Sequence, residues 1–341
     1  MKEEYLDLTS LVNGASLAPK EETEDFCQAH LVVDLHCELG EGIIYDDRTN
    51  TVLWTDILGK KYYELELNFE DPTRVKLRSF DTPKMLGSFG MLDNAASPSL
   101  SSRPLLCAWE DGFQLYDFHQ QKFLGELSTG EAVNPSGLPT RLNDGRVAPD
   151  GKHFICGGYY GDIPGKKMKV FDVIQDGKTL KHSAIVDSIE VTNSISFSPD
   201  GKTMYLADSP TKAIHAYSYQ DGKISDKKPF HCKHDSEKGV PDGSCVDEEG
   251  YLWNAVWRSG NGPAMVQRID PKTGKVTFTV HMPDATSQVT CCCFGGKDMN
   301  ILFITSAAES RSREAEPHAG GLYAVVLPFR GRPEARLCFS Y

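Results

Sequence analysis

The chain has 341 residues and a formal net charge of −12, with 36 Lys and Arg against 48 Asp and Glu. Hydrophobic residues make up 40% and charged residues 25%, as in ordinary globular proteins. Its apolar runs are far shorter than the roughly 20 residues that span a bilayer, and it lacks the clustered Lys and Arg of a nucleic-acid surface. We therefore expect neither a membrane nor a nucleic acid as a partner.

Residues 1–30 are expected to form a loose, polar N-terminal extension, because they include the acidic run KEETED at 20–25. The start Met-Lys-Glu-Glu has no apolar signal core, which predicts a cytoplasmic protein. Residues 31–341 are expected to form a single domain. Nothing in the sequence predicts its oligomeric state.

A short pattern recurs along the rest of the chain: an apolar run, a polar turn and a second apolar run. Each copy predicts a β-hairpin. The clearest copies are DDRTNTVLWTD (46–56), APDGKHFICGG (148–158), SPDGKTMYLAD (198–208) and DEEGYLWNAVW (247–257), with looser ones at 101–111 and 295–305.

One turn residue marks each copy, and the separations are 53, 48, 50, 49 and 46 residues. A period near fifty, with about four short strands per unit, is typical of β-propeller blades. The sequence therefore predicts an all-β, six-bladed β-propeller, with residues 31–35 pairing near 322–327 to close the ring. The markers are Asn50, Arg103, Gly151, Gly201, Gly250 and Gly296.

The ten cysteines include no Cys-x-x-Cys pair. Most lie in apolar strand-like runs, so we expect buried, reduced thiols. The three cysteines at 291–293 cannot all coordinate one metal ion, because adjacent residues of a strand point to opposite faces.

Four units carry an oxygen-bearing side chain just before the turn marker. Asn143, Asn193 and Asp242 lie eight residues before their glycines, and Glu41 lies nine before Asn50. The first strand of each blade lines the central channel, so equivalent positions should converge on one axial site.

Two carboxylates that converge in a narrow channel repel each other unless a cation lies between them. All-oxygen ligation suits Ca²⁺, Mg²⁺ or Mn²⁺. The alternative is that each Asn or Asp only begins a strand or stabilises a turn. In the string RLNDGR at 141–146, alternation puts Arg141 and Asn143 on one face, where Arg141 either grips an oxygen-rich substrate or pairs with a carboxylate.

Four segments together resemble the senescence-marker-protein (regucalcin), gluconolactonase and luciferin-regenerating-enzyme family. The resemblance runs from about residue 36 to the C-terminus, and CCCFGGKD at 291–298 resembles that family's last blade. The four segments are LGEG (39–42), RLNDG (141–145), TNS (192–194) and PDG (241–243).

The resemblance implies a catalytic propeller that opens sugar lactones with one divalent cation, which is Ca²⁺, Mg²⁺, Mn²⁺ or Zn²⁺. It implies Glu41, Asn193 and Asp242 as metal ligands, and Arg141 and Asn143 as substrate contacts. We expect Asp242 to act also as the general base for the attacking water.

The sequence departs from the family at two places. Ser194 stands where the family often has Gly, and the segment at 157–162 lacks the substrate-binding Glu that some members carry. Two other functions stay open: a non-catalytic calcium-binding propeller and a metal-dependent phosphotriesterase.

Overall fold

The computed structural model describes residues 1–12, 25–93, 103–134, 140–161, 167–232, 239–260, 262–283 and 285–339. Within these ranges the strands form six sheets of four or five strands, which we call blades 1–6. None of the helices in these ranges is long and apolar enough to cross a membrane.

The blades follow one another along the chain. Blade 1 contains β4 (Gly40–Asp46), β5 (Thr51–Asp56), β6 (Lys61–Glu66) and β7 (Val75–Asp81), with β1 (Lys2–Leu6) outside. Blade 2 contains β8 (Leu86–Met91), β9 (Pro104–Trp109), β10 (Gly112–Asp117) and β11 (Lys122–Leu124). Blade 3 contains β13 (Arg141–Val147), β14 (Phe154–Tyr159), β15 (Met168–Asp176) and β16 (Thr179–Ile189), with β12 (Thr129–Gly130) outside.

The other three blades repeat this order. Blade 4 contains β17 (Thr192–Phe197), β18 (Thr203–Asp208), β19 (Ala213–Gln220) and β20 (Lys223–Cys232). Blade 5 contains β21 (Val240–Val246), β22 (Leu252–Trp257), β23 (Met265–Ile269) and β24 (Val276–His281), with β2 (Phe26–Gln28) outside. Blade 6 contains β25 (Val289–Gly295), β26 (Ile301–Ser306), β27 (Leu322–Val326) and β3 (His30–Val33). The helical segments described are α1 (Thr9–Val12) and two 3₁₀ turns, Pro72–Arg74 and Ser209–Thr211.

The six first strands form the inner ring of the molecule. Each of β4, β8, β13, β17, β21 and β25 packs against the first strands of the two neighbouring blades, and β25 returns to β4. This closed circle confirms the predicted all-β, six-bladed β-propeller.

The ring is closed between the two ends of the chain. Strand β3 pairs antiparallel with β27, which places Val33 opposite Leu322 and Leu31 opposite Tyr323. The predicted pairing of residues 31–35 with 322–327 is therefore confirmed. A strand from the N-terminal side thus completes the last blade, so no blade boundary is left open.

The described parts of the N-terminal extension, residues 1–12 and 25–30, contain two strands that composition does not predict. Strand β1 pairs antiparallel with β7, and β2 pairs parallel with β24. Arg78 on β7 contacts Glu3 on β1 across an ion pair of 3.2 Å. Backbone pairing to an existing sheet edge needs no apolar side chains, so hydropathy could not reveal these strands.

Five of the six turn markers have a left-handed backbone. Their φ values are 53° at Asn50, 68° at Gly151, 70° at Gly201, 89° at Gly250 and 86° at Gly296. Only Gly, and more rarely Asn, adopts this conformation without strain. This requirement explains why the hairpin turns were visible as repeats in the sequence.

The core lies between the blades. The second strands β5, β9 and β22 are buried over nearly their whole length because both faces of each blade pack on a neighbour. Trp54, Trp109 and Trp253 occupy these strands and are almost fully buried. All ten cysteines are free thiols, and all except Cys232 and Cys338 are buried.

Candidate active site

A β-bulge interrupts the first strand of most blades near its start. The antiparallel register shifts after Glu41 in β4, Leu142 in β13, Asn193 in β17 and Pro241 in β21. Each bulge sets two residues of the inner strand against one of its partner. A bulge re-aims side chains, so it breaks the simple alternation that the sequence predicts.

The bulges divide the predicted site residues into two positions. Glu41 and Asn193 are the last paired residues before their bulges, whereas Asn143 and Asp242 are the first unpaired residues within theirs. The turn markers therefore predict the position of these four residues along the first strands correctly to within one residue.

All five predicted site residues line one cavity of about 630 Å³ at one end of the central channel. They come from four different blades, and the ring brings them together as the repeat predicts. The remaining wall includes Tyr159, Ser209, Trp257, Gln288, Glu309 and Arg311.

A chain of amide hydrogen bonds crosses blades 3, 4 and 5. Nδ2 of Asn143 donates to Oδ1 of Asn193 at 3.1 Å and to the carbonyl oxygen of Thr192 at 2.7 Å. Nδ2 of Asn193 donates to Oγ of Ser209 at 2.8 Å, and that hydroxyl donates to the carbonyl of Pro241 at 2.6 Å. These bonds use the amide nitrogens and orient the amide oxygens.

The guanidinium of Arg141 is held from two sides. It donates a short hydrogen bond to Oδ1 of Asn143, and its Cζ lies 4.6 Å from the centroid of the Tyr159 ring. A cation over an aromatic face is stabilised by the ring's quadrupole. Tyr159 is the last residue of β14, within the segment where the sequence lacked the expected Glu.

Ser194 has a φ of 58°, in the region that favours glycine. Glycine, which the resemblance led us to expect at this position, would adopt this backbone without strain, whereas serine does not. Oγ of Ser194 donates to the carbonyl of Asp242 at 2.8 Å and accepts from Nδ2 of Asn254 at 3.0 Å. The hydroxyl therefore compensates for backbone strain by joining blade 4 to blade 5.

The cavity wall carries three carboxyl groups, from Glu41, Asp242 and Glu309, and two guanidinium groups, from Arg141 and Arg311. Burial, and then the charge of Asp144, raise the pKa of Glu41 to about 8 against the partial opposition of Gly42 N–H and Arg141. Burial, with the charges of Glu41 and Asp144, raises the pKa of Asp242 well above its ordinary range. Burial likewise raises the pKa of Asp144 to about 6 and lowers that of Arg141.

This arrangement fits a divalent cation. Two buried carboxyl groups, Glu41 and Asp242, stand beside the oriented amide of Asn193, and burial together with nearby carboxylates raises the pKa of each. A bound cation would offset that cost by favouring the ionised carboxylates. The described ranges contain no group of three His, Cys, Asp or Glu side chains placed to hold a metal ion, so an ion here would need amide oxygen as well. Hard cations accept such mixed oxygen ligands.

Sequence reasoning missed several groups at the site. Asp144 lay inside a quoted motif, but its influence on Glu41 and Asp242 depends on the bulge. Gln288 lies eight residues before Gly296, the spacing that identified three other residues, and that signal could have found it. Glu309 and Arg311 come from the connection between β26 and β27, which carries no repeat.

Other residues near the site differ in whether they line the cavity. His36 lies outside the cavity wall and contacts the carbonyl oxygen of Ala319 through Nδ1 at 3.0 Å, as a structural histidine would. Trp257 and Ser259 line the cavity. Asp162, the last residue of the segment at 157–162, lies outside the described residues.

Comparison with known proteins identifies the family. The sequence matches the family described as "SMP-30/Gluconolactonase/LRE-like region" over residues 39–308. The chain therefore belongs to this family, as the motifs predicted.

Individual relatives align over nearly the whole chain. L-arabinolactonase of Azospirillum brasilense is 32% identical, covering 91% of this chain and 95% of its own. Regucalcin of Gallus gallus is 30% identical, covering 86% of this chain and 93% of its own. The crystal structure of regucalcin from Agrobacterium tumefaciens, described as a calcium-binding protein, superposes with a TM-score of 0.75 at 25% identity, covering 92% and 99%.

Proposed function

We propose that this protein is a metal-dependent hydrolase that opens sugar lactones to aldonic acids. Family membership and the arabinolactonase relative support lactone hydrolysis in general. The observation that carries the proposal is the pair of buried carboxyl groups, Glu41 and Asp242, which line the same cavity as Asn193 and Arg141 and have raised pKa values there.

Glu41, Asn193 and Asp242 would hold the cation. When bound, a divalent cation supplies a Lewis acid for the lactone carbonyl and keeps the two carboxylates ionised. The blades fix these three residues on separate rigid strands, so they need little rearrangement to act together.

Arg141 and Asn143 would bind and orient the substrate. Arg141 is fixed by Asn143 and Tyr159, so its remaining N–H groups can donate to the ring oxygens and to the negative charge that develops on the carbonyl oxygen. A lactone is uncharged and rich in oxygen, which suits a guanidinium that donates several directed hydrogen bonds.

Asp242 would accept a proton from the attacking water. Water adds to the lactone carbonyl carbon, the ring C–O bond breaks, and the ring oxygen leaves as a hydroxyl after taking up a proton. The products are a carboxylic acid and a free hydroxyl on one open chain. A carboxylate in a partly dehydrated cavity has a raised proton affinity, which favours this role.

The test uses metal-stripped protein supplied in turn with Mg²⁺, Mn²⁺, Ca²⁺ and Zn²⁺. Opening of D-glucono-1,5-lactone and of pentono-lactones is followed by acid release, corrected for spontaneous hydrolysis. We expect activity that depends on the metal and that falls by about a hundredfold or more in Asp242→Ala, with folding verified by circular dichroism. Unchanged activity in this variant would remove the assignment.

Calcium binding without turnover is a second candidate function. The regucalcin relatives, one of them described as a calcium-binding protein, favour it, and the same donor set would serve it. Calorimetric titration with Ca²⁺ combined with the lactone assay separates the two functions. Tight binding without turnover of any lactone would favour the binding function.

A further inference from the structure

One buried amide on the cavity wall has no role in the chemistry above. Gln288 directly precedes β25 of blade 6, is 4% exposed and lines the cavity. Its Oε1 is buried and has no hydrogen-bond partner among the described residues. The backbone carbonyl of Gln288 accepts from the N–H of Ala307 at 2.8 Å, so the strand position itself is fixed.

A buried amide oxygen without a partner costs free energy, and a leucine of similar size would avoid that cost. Nothing in the described packing therefore requires a glutamine at this position. The terminal amide torsion of Gln is soft and broad, so either polar end can turn towards a ligand in the cavity. An amide that is left unsatisfied by the protein points to a polar group that arrives with a ligand.

The ring places Gln288 across the axis from Arg141 and Asn143. Blade 6 is three blades away from blade 3 in a circle of six, so the two blades face each other. A ligand held by Arg141 on one side would therefore present its opposite edge to Gln288. Glu309, in the connection between β26 and β27 of the same blade, also lines the cavity.

We propose that Gln288 is a specificity-determining residue whose side-chain amide hydrogen-bonds a ring hydroxyl of a polyhydroxylated lactone. This inference rests on the proposed function. It adds a reason why the site would prefer a sugar lactone to a lactone without ring hydroxyls. A site built to bind a hydroxyl group discriminates against the analogue that lacks it. Gln288 takes no part in the bond-breaking step.

The experiment compares wild type with Gln288→Leu on two lactones of the same ring size. D-Glucono-1,5-lactone carries ring hydroxyls, and δ-valerolactone carries none. We expect the variant to lose about tenfold in kcat/KM on the first and at most about twofold on the second. Its Tm should equal or exceed that of wild type, because the substitution removes an unsatisfied polar group.

Gln114→Leu is the matched control. Gln114 lies on blade 2 outside the cavity wall, and its amide donates to the carbonyl of Gly125 at 2.9 Å. This control should leave the ratio of the two kcat/KM values unchanged. Equal losses of Gln288→Leu on both lactones, or a lowered Tm, would show a structural role and overturn the inference.

A binding measurement separates this inference from the hydrolysis itself. 1,5-Anhydro-D-glucitol has the sugar ring but no carbonyl, so it binds without reacting. We expect Gln288→Leu to bind it about tenfold more weakly than wild type in calorimetry with Ca²⁺ present. Such a difference without any lactone turnover would support the hydroxyl-binding role of Gln288 and overturn the proposed hydrolase function. Equal binding, or no binding by wild type, would overturn the role of Gln288.

Discussion

The side chain of Asn143 donates a hydrogen bond to Oδ1 of Asn193 at 3.1 Å, across the boundary between blades 3 and 4. Its own Oδ1 accepts from Arg141. One amide therefore orients both a proposed metal ligand and the proposed substrate-binding guanidinium. This relationship makes Asn143 a positioning residue as well as a proposed substrate contact.

Replacing Asn143 should therefore affect metal affinity although it is not a proposed ligand. We expect Asn143→Ala to weaken Ca²⁺ binding by about tenfold in calorimetry, because Asn193 loses the donor that orients it. Asn68→Ala is the control, since its Oδ1 accepts from the N–H groups of Glu70 and Asp71 in a turn on blade 1. Equal Ca²⁺ affinity in Asn143→Ala and wild type would contradict the positioning role.

Removing the charge of Asp242 should stabilise the metal-free protein. In EDTA we expect Asp242→Asn to raise the free energy of unfolding by about 1–3 kcal/mol, because Glu41 and Asp242 no longer repel each other in a buried cavity. With saturating Ca²⁺ the order should reverse, since wild type alone keeps the full ligand set. Urea denaturation under both conditions measures this.

Asp247→Asn is the matched control for that comparison. The Asp247 carboxylate is also buried on blade 5, but it accepts from Trp253 Nε1 at 3.0 Å and from Arg268 Nε at 2.8 Å. Its loss should destabilise the protein with or without metal. If Asp242→Asn destabilised the protein in EDTA as Asp247→Asn does, the proposed repulsion between Glu41 and Asp242 would be contradicted.

The stability of the metal-free protein should fall as pH rises. The pKa of Glu41 is about 8 in the folded state against its usual 4.5, so between these values the folded state holds more protons than the unfolded state. The free energy of unfolding therefore decreases from about pH 4.5 to about pH 8. We expect a shallower decrease in Glu41→Gln and with saturating divalent cation, measured by urea denaturation across the pH range. Equal slopes for wild type and Glu41→Gln in EDTA would refute this linkage.

Two substitutions of Ser194 separate backbone strain from hydrogen bonding. Ser194→Ala keeps the φ of 58° and loses the hydrogen bond to the Asp242 carbonyl, whereas Ser194→Gly loses the same bond and relieves the strain. We expect the alanine variant to be less stable than the glycine variant by about 1 kcal/mol. Thermal denaturation decides this, and an alanine variant as stable as the glycine variant would show that the left-handed backbone carries no cost.

The propeller was predictable because its turns need particular residues. Gly151, Gly201 and Gly250 stand where the backbone is left-handed, so the turn chemistry repeats in the sequence even where the strands differ. The convergence of Glu41 and Asp242 followed from that repeat alone.

The remaining features depend on contacts that have no local signal. The bulges that contain Asn143 and Asp242 arise from strand pairing, and β1 is held on β7 by backbone pairing and by the ion pair between Glu3 and Arg78. The Gln288 side-chain oxygen has no hydrogen-bond partner because of the residues that surround it in the fold. The effect of Asp144 on the pKa of Glu41 likewise depends on their proximity in the fold.

The pairing of β3 with β27 also sets the order in which the site can come into being during synthesis. Glu41 emerges from the ribosome early, yet the strand just before it has no partner until residues 322–326 have been made. A nascent chain carries four of the six blades before Asp242 exists. The proposed ligands therefore come together only after residues 322–326 have been made, and a product that ends before them cannot close the circle that unites these residues.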